Sequence, residues 1–314
     1  AAAAAAGSDH VSVVRREPGS GPSTKGGVLR YATPFLRGPI IGVVDADSRL
    51  ERAFLERVMR AWRRDPTAAA LQVARTPRNA DRSWLTRAQA EEQLMDLTSQ
   101  CGRWAAEGTA ELRGNGMFVR ADVLASVGGW ATDAATEDLD LSTRLSVAGH
   151  HVGLAPEVAV GEEAVETPGP LWRQRLRWAE GSMRRLIAHG PALLSSSASL
   201  RRKVDFLAFS VEFLLPPLFV AAIVASLVTI PLPQPADWTV PASLFVGYGL
   251  GVFLLALGGL HATGVRGVGL VGRAARGALF LSHWLLVVPA ALVRIVVGPA
   301  TTEFVPTPRF TGRP

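Results

Sequence analysis

Two long stretches without a charged side chain, Phe213–Ile230 and Trp238–Leu260, limit what this chain can fold into more than any other feature. Runs of 18 and 23 residues are long enough, as helices, to cross a hydrocarbon core of about 30 Å. Only a helix or a closed barrel satisfies its backbone polar groups there. Pro231 to Asp237, with prolines at 231, 233 and 235, links the two runs. Arg201, Arg202 and Lys203 precede the pair, and Arg266, Arg273 and Arg276 follow it. The positive-inside rule puts both flanks in the cytoplasm and the proline link outside, as in a multi-pass plasma-membrane protein. A third apolar stretch, Ala278–Val297, contains His283, Pro289 and Arg294, and reads either as a third crossing or as a helix lying in the interface.

Composition narrows the rest. With 48% hydrophobic and 19% charged residues the chain is not a disordered segment. Cys101 is the only cysteine, so no internal disulfide holds it and a reducing compartment is expected. Of the 33 basic residues only Lys25 and Lys203 are lysines. After residue 203 there are six bases and four acids, and residues 1–203 carry 27 bases and 23 acids. That mixed surface argues against nucleic acid as a partner. Two or three apolar helices without internal repeats also argue against a transporter.

Upstream of residue 204 the pattern is α/β. Residues 1–9 are a low-complexity start, and residues 10–15 read as a strand. Lys25-Gly26-Gly27 reads as a helix start. Pro39–Val44 reads as a strand buried on both faces of a parallel sheet, ending at Asp45-Ala46-Asp47. Helical spacing covers 50–64, stopped by Asp65-Pro66, and Leu71-Gln72-Val73 reads as another strand. The expected domains are therefore 10–203, catalytic, and 204–314, membrane. The latter has helices at about 206–231 and 238–260, an apolar helix at about 278–298 and a terminal segment, 303–310.

Five segments carry side chains suited to chemistry, each with an ordinary structural explanation beside it. Asp45 and Asp47, at a strand end, can hold a divalent cation and through it a diphosphate; they could equally cap the next helix. Thr136-Glu137-Asp138 can supply a general base, or simply complement a helix dipole. Gln174-Arg175-Leu176-Arg177-Trp178 offers a guanidinium for phosphate and an indole for a sugar face, or is a basic amphipathic helix. Arg113-Gly114-Asn115-Gly116-Met117 is a glycine-flexed loop, and Phe304–Arg309 a proline-stiffened tail.

The order of these segments resembles the family 2 glycosyltransferases, in particular their membrane-embedded cellulose synthase-like and mannan synthase-like branch. The resemblance runs from about His10 to Arg309. It implies a GT-A-like, Rossmann-like catalytic domain followed by transmembrane and interfacial helices. It also implies an upstream nucleotide-binding strand and further downstream helices, so the chain is expected to be part of a longer protein. Lys25 falls on the family's lysine-glycine motif, Asp45 and Asp47 on D-x-D, and Asp138 on the catalytic base. Gln174, Arg177 and Trp178 fall on Q-x-x-R-W, and Thr307 and Arg309 on a gating segment.

The roles this resemblance implies are specific. Asp45 and Asp47 would hold Mg2+ or Mn2+ on the diphosphate of a UDP- or GDP-sugar. Lys25, Gln174, Arg177, Thr307 and Arg309 would contact the donor, and Asn115, Glu137 and Trp178 the acceptor. Asp138 would deprotonate the attacking hydroxyl, with inversion at the anomeric carbon. Three readings follow: a synthase of a β-linked polysaccharide, a transferase adding one sugar to a lipid, and an inactive scaffold. The polysaccharide synthase is the leading expectation. A gating segment that reaches the nucleotide requires two crossings, so Ala278–Val297 is expected to be interfacial or re-entrant, broken near Pro289, with Arg294 snorkelling to headgroups.

Overall fold

The computed structural model describes residues 11–17, 19–229 and 242–298. Thr24 starts the first helix, α1 (Lys25–Ala32), by accepting a hydrogen bond from Gly27 N at 2.9 Å. Gly26 sits so close to the Ala131 carbonyl that a Cβ would collide with it. This glycine is what lets α1 lie against the segment leading to Thr136. The next elements are β1 (Ile40–Val43), α2 (Phe54–Arg64), β2 (Ala70–Pro77) and α3 (Trp84–Ala105). They are followed by β3 (Met117–Arg120), α4 (Ala121–Ser126), α5 (Glu137–Val147), β4 (Val152–Glu162) and α6 (Pro168–Ser195).

The four strands form a mixed sheet in the order β1-β3-β2-β4. β3 is antiparallel to both β1 and β2, while β2 and β4 are parallel. Alternating side chains feed two cores. Ile41, Val43, Ala70, Met117 and Val119 pack with Trp130, Leu141 and Leu145 on one face. Leu71, Val73, Phe118 and Val160 pack on the other face with Phe54, Val58, Ala61 and Trp62, the buried stripe of α2.

Two strand expectations are corrected. Residues 11–15 form no strand, and Val11, Val13 and Val14 are exposed: no described strand pairs with them, and a β-branched run without a ladder buries nothing. The strand before Asp45 exists, but antiparallel and at the sheet edge among the described residues. Its outer face shows Gly42, on which the Phe118 ring rests. The element between β1 and β2 in space is β3, a hairpin-like insertion that brings Gly116 against the Val43 carbonyl at 3.0 Å.

Beyond residue 199 lie α7 (Leu200–Thr229), α8 (Ala242–Ala262), α9 (Val268–Leu281) and α10 (Trp284–Val297). Leu200–Val228, Phe245–Ala262 and Val268–Val297 are each long and apolar enough to cross a membrane. The third is broken, but at Ser282–His283, not near Pro289, which lies inside α10. Here the imidazole Nδ1 of His283 sits 2.6 Å from the Phe280 carbonyl.

Arginines of the apolar region are also placed differently from the sequence expectation. Arg294 pairs with buried Glu180 of α6 at 3.4 Å. Arg273 and Arg276 of α9 both pair with buried Glu91 of α3. Asp205 of α7 receives Arg103 of α3 at 3.1 Å. Part of the arginine excess thus fastens the apolar helices to the α/β domain.

Candidate active site

β1 ends beside the loop that precedes β3, and α1 points its first residue at the same place. Lys25 Nζ donates to Asp45 Oδ1 at 2.8 Å and to the Gly114 carbonyl at 2.7 Å, and lies 3.7 Å from Glu137 Oε1. Burial alone would lower its pKa, but the Glu137 and Asp45 carboxylates outweigh burial and hold it above the usual lysine value. One ammonium therefore joins the D-x-D turn to the first turn of α5.

That first turn carries Glu137, Asp138 and Asp140 at the positive end of the helix dipole. Asp138 faces Gly114, whose φ of +77° suits glycine. A Cβ there would stand 3.0 Å from Asp138 Oδ2 and 3.7 Å from Lys25 Nζ. Glu137 is buried behind it. Burial first, then the adjacent Asp138 carboxylate, push its pKa up to about 7 against the pull of Lys25. A carboxyl raised above its ordinary 4.5 costs stability as pH climbs from that value through about 7, and in full above it. Glu137→Gln is therefore expected to raise Tm above pH 7 and to leave it unchanged near pH 4.5; thermal unfolding across that range checks this.

α6 brings the third segment. Gly181 allows α6 to touch α5: a Cβ there would lie 2.6 Å from Thr136 Oγ1. Arg185 donates to Thr143 Oγ1 at 2.9 Å, and His189 Nε2 lies 2.7 Å from Asp140 Oδ1. Gln174, Arg177 and Trp178 share one side of α6 at i, i+3, i+4, all half-buried. Burial draws the Arg177 pKa down, opposed by Glu137, Asp138 and Asp45, so its guanidinium lies in the field of all three carboxylates. Arg175, which stands outside the motif's implied roles, is buried beside Leu176. It pairs with Glu92 and stacks 4.3 Å over the Trp178 ring, fixing the indole.

Asn115 differs from its expected place against the acceptor. It is 1% exposed, and its amide is spent on the protein: Oδ1 accepts from Asp45 N and Ser48 Oγ, each at 3.1 Å, and Nδ2 donates to Glu162 at 3.0 Å. Gln72 supports the same loop, donating to the Asn115 carbonyl at 2.8 Å and accepting from Arg113 N at 2.7 Å. Gln72, Glu162 and Ser48 were missed; the available signal was a glutamine inside the apolar run Ala70-Leu71-Gln72-Val73. Thr307 and Arg309, and with them the gating segment, lie outside the described residues.

Asp45 and Asp47 present hard carboxylate oxygens of the kind Mg2+ and Mn2+ take. Among the described residues no three His, Cys, Asp or Glu converge as a metal cage. A pair of carboxylates completed by diphosphate oxygens and water is a common Mg2+ arrangement, so the donor set fits such an ion.

Residues 40–260 match the family described as glycosyl transferase family group 2. The chain belongs to this family. It is 32% identical over 298 residues to the beta-monoglucosyldiacylglycerol synthase of Synechocystis sp., covering 94% of this chain and 62% of that protein. It is 31% identical over 312 residues to the enzyme of the same name from Trichormus variabilis, covering 95% and 64%. The chain thus spans less than two thirds of the length of these curated relatives. Among solved structures, the Pyrobaculum calidifontis mannosyltransferase in complex with GDP-Man and Mn2+ superposes with a TM-score of 0.57. That match has 18% identity and covers 86% of this chain and 65% of that one. The likeness supports the GT-A-like fold expected from the motifs. Membership of the cellulose synthase-like and mannan synthase-like branch has no such support, since these relatives are named beta-monoglucosyldiacylglycerol synthases.

Proposed function

We propose that this chain is the catalytic and membrane-proximal part of an inverting glycosyltransferase that moves one sugar from a UDP- or GDP-sugar to the hydroxyl of a diacylglycerol-type lipid. The observation that carries the reading is the Lys25 node, which joins Asp45 of the D-x-D turn to Glu137 on the turn bearing Asp138, with Arg177 in the field of these carboxylates. The choice of a lipid acceptor over a growing polysaccharide rests on relatives that match 94% and 95% of the chain and are named for diacylglycerol.

In this reading residues 10–203 are the catalytic part and 204–314 the membrane part, with the catalytic part on the cytoplasmic side. Asp45 and Asp47 bind Mg2+ or Mn2+, which when bound offsets the charge of the departing diphosphate. Lys25, Gln174 and Arg177 steady the phosphates. Trp178, held by Arg175, gives the acceptor an apolar wall. Asp138 takes the proton from the acceptor hydroxyl as its oxygen attacks the anomeric carbon opposite the leaving phosphate. Glu137, ion-paired with Lys25, steadies that turn from below, and Asn115 steadies the D-x-D turn.

The test is the full-length protein in nanodiscs containing diacylglycerol, given a panel of labelled UDP- and GDP-sugars with Mn2+. The expected product is a single-sugar glycolipid made from one donor. A polymer retained at the origin of a thin-layer plate would instead establish the polysaccharide synthase, and no product from any donor would leave the scaffold.

A further inference from the structure

We propose that Glu162, at the end of β4, is a positioning residue for the D-x-D turn and acts through Asn115. The inference rests on the reading of Asp45 and Asp47 as the ion site.

An asparagine side chain has one accepting and one donating end of nearly equal shape, so its neighbours must decide which way it points. Here the Asp45 backbone N–H needs an acceptor, and Asn115 Oδ1 meets it at 3.1 Å while also accepting from Ser48 Oγ at 3.1 Å. A flipped amide would set its NH2 against those donors. Glu162 removes that choice because a carboxylate only accepts. Its Oε2 takes the bond from Asn115 Nδ2 at 3.0 Å, and its Oε1 takes one from Gln93 Nε2 of α3 at 2.5 Å. Both oxygens being engaged, Glu162 itself has little freedom, and Arg75 lies 3.9 Å away to balance its charge.

The backbone of the clamp is held separately. Gln72 donates to the Asn115 carbonyl at 2.8 Å, and the glycines on either side have φ of +77° and +66°. A side chain at Gly116 would strike Val73 and Val160. The whole assembly is buried: Asn115, Gln72 and Glu162 are 1%, 4% and 9% exposed. In this setting an unmet donor is expensive, and its cost falls on the turn that carries Asp45 and Asp47.

The experiment is direct Mn2+ binding to the full-length protein in nanodiscs, followed by the electron paramagnetic resonance signal of free Mn2+, with UDP and GDP as probes. The wild type is expected to bind, and Glu162→Leu to bind at least about tenfold more weakly, the scale of one lost buried hydrogen bond. Glu162→Gln removes the same charge but still offers Asn115 an acceptor. Its new NH2 would take the place of Oε1, which accepts from Gln93 Nε2, so the Gln93 amide turns over to present its Oε1, a buried atom that has no hydrogen-bond partner. It is expected within about threefold of wild type. Asn115→Leu should match Glu162→Leu, and the double variant should lose no more than either alone.

If the leucine variants do not fold, Asn115→Asp combined with Glu162→Gln keeps every hydrogen bond and the net charge. This pair should restore Mn2+ binding and Tm relative to Asn115→Asp alone. Equal losses for Glu162→Gln and Glu162→Leu, additive losses in the double variant, or no recovery in the exchanged pair would overturn the inference. A wild type that binds no Mn2+ would instead overturn the ion-site reading, and the clamp's proposed purpose with it.

Discussion

Asp138→Asn is expected to lower kcat by about 10²- to 10⁴-fold while leaving nucleotide binding within about threefold, because it removes a base and little else. The two side chains have the same shape, and an asparagine keeps the position beside Gly114 and the first turn of α5. What it loses is the ability to take a proton from the acceptor hydroxyl. Glu137 is the wrong candidate for that work: it is buried, pushed up to about 7, and 3.7 Å from Lys25, whereas Asp138 is half-buried and faces Gly114. Turnover and calorimetric UDP or GDP binding, measured on the same preparation, separate chemistry from binding. Unchanged turnover would remove Asp138 from the reaction.

The largest expected effect on stability belongs to Glu111, outside the site. It is 2% exposed and stands among Arg185 at 2.6 Å, Arg113 at 3.0 Å and Arg103 at 3.4 Å. Burial alone would raise its pKa, but the three guanidinium groups outweigh burial and hold it at about 2. A carboxyl depressed below its ordinary 4.5 adds stability above that value and loses it as pH falls from there toward about 2. The shift corresponds to about 3 kcal/mol.

Glu111→Leu leaves buried cations facing one another and is expected to cost about 3–5 kcal/mol near neutral pH. A fall in Tm in detergent, shrinking as pH drops toward 2, would show it. A variant as stable as wild type would mean that Asp96 and Asp205, which also meet Arg113 and Arg103, carry the cluster alone. The cluster reaches from the loop before Gly114 to Asp205 of α7, so its loss would loosen the seam between the α/β domain and the first apolar helix as well.

Much of the site was legible in the sequence because its chemistry is local. Asp45-Ala46-Asp47 ends an apolar run, Thr136-Glu137-Asp138 begins a helix, and Gln174, Arg177 and Trp178 fall on one side of another; short-range patterning suffices for each. Lys25 was legible as a helix start beside glycines. The sheet was less so. β3 is only Met117–Arg120, too short to signal that it lies antiparallel between β1 and β2.

Amide roles were not legible at all. Whether Asn115 faces a ligand or the protein depends on Glu162 and Asp45, which approach it through tertiary packing. The same holds for the arginines after residue 203: Arg273, Arg276 and Arg294 look like membrane anchors until Glu91 and Glu180, from distant helices, are seen beneath them. The break at Ser282–His283 escaped notice because Pro289 is the obvious breaker, yet it sits within α10.

The central claim is that Asp138 activates the acceptor on the face of the sugar opposite the diphosphate held at Asp45, Asp47 and Arg177. The anomeric configuration of the product tests this most directly. With an α-linked nucleotide-sugar as donor, the one-bond carbon–proton coupling at the anomeric centre of the purified glycolipid should report a β-linkage. An α-linked product would require attack from the leaving-group face, and would contradict the assignment of Asp138 as the base.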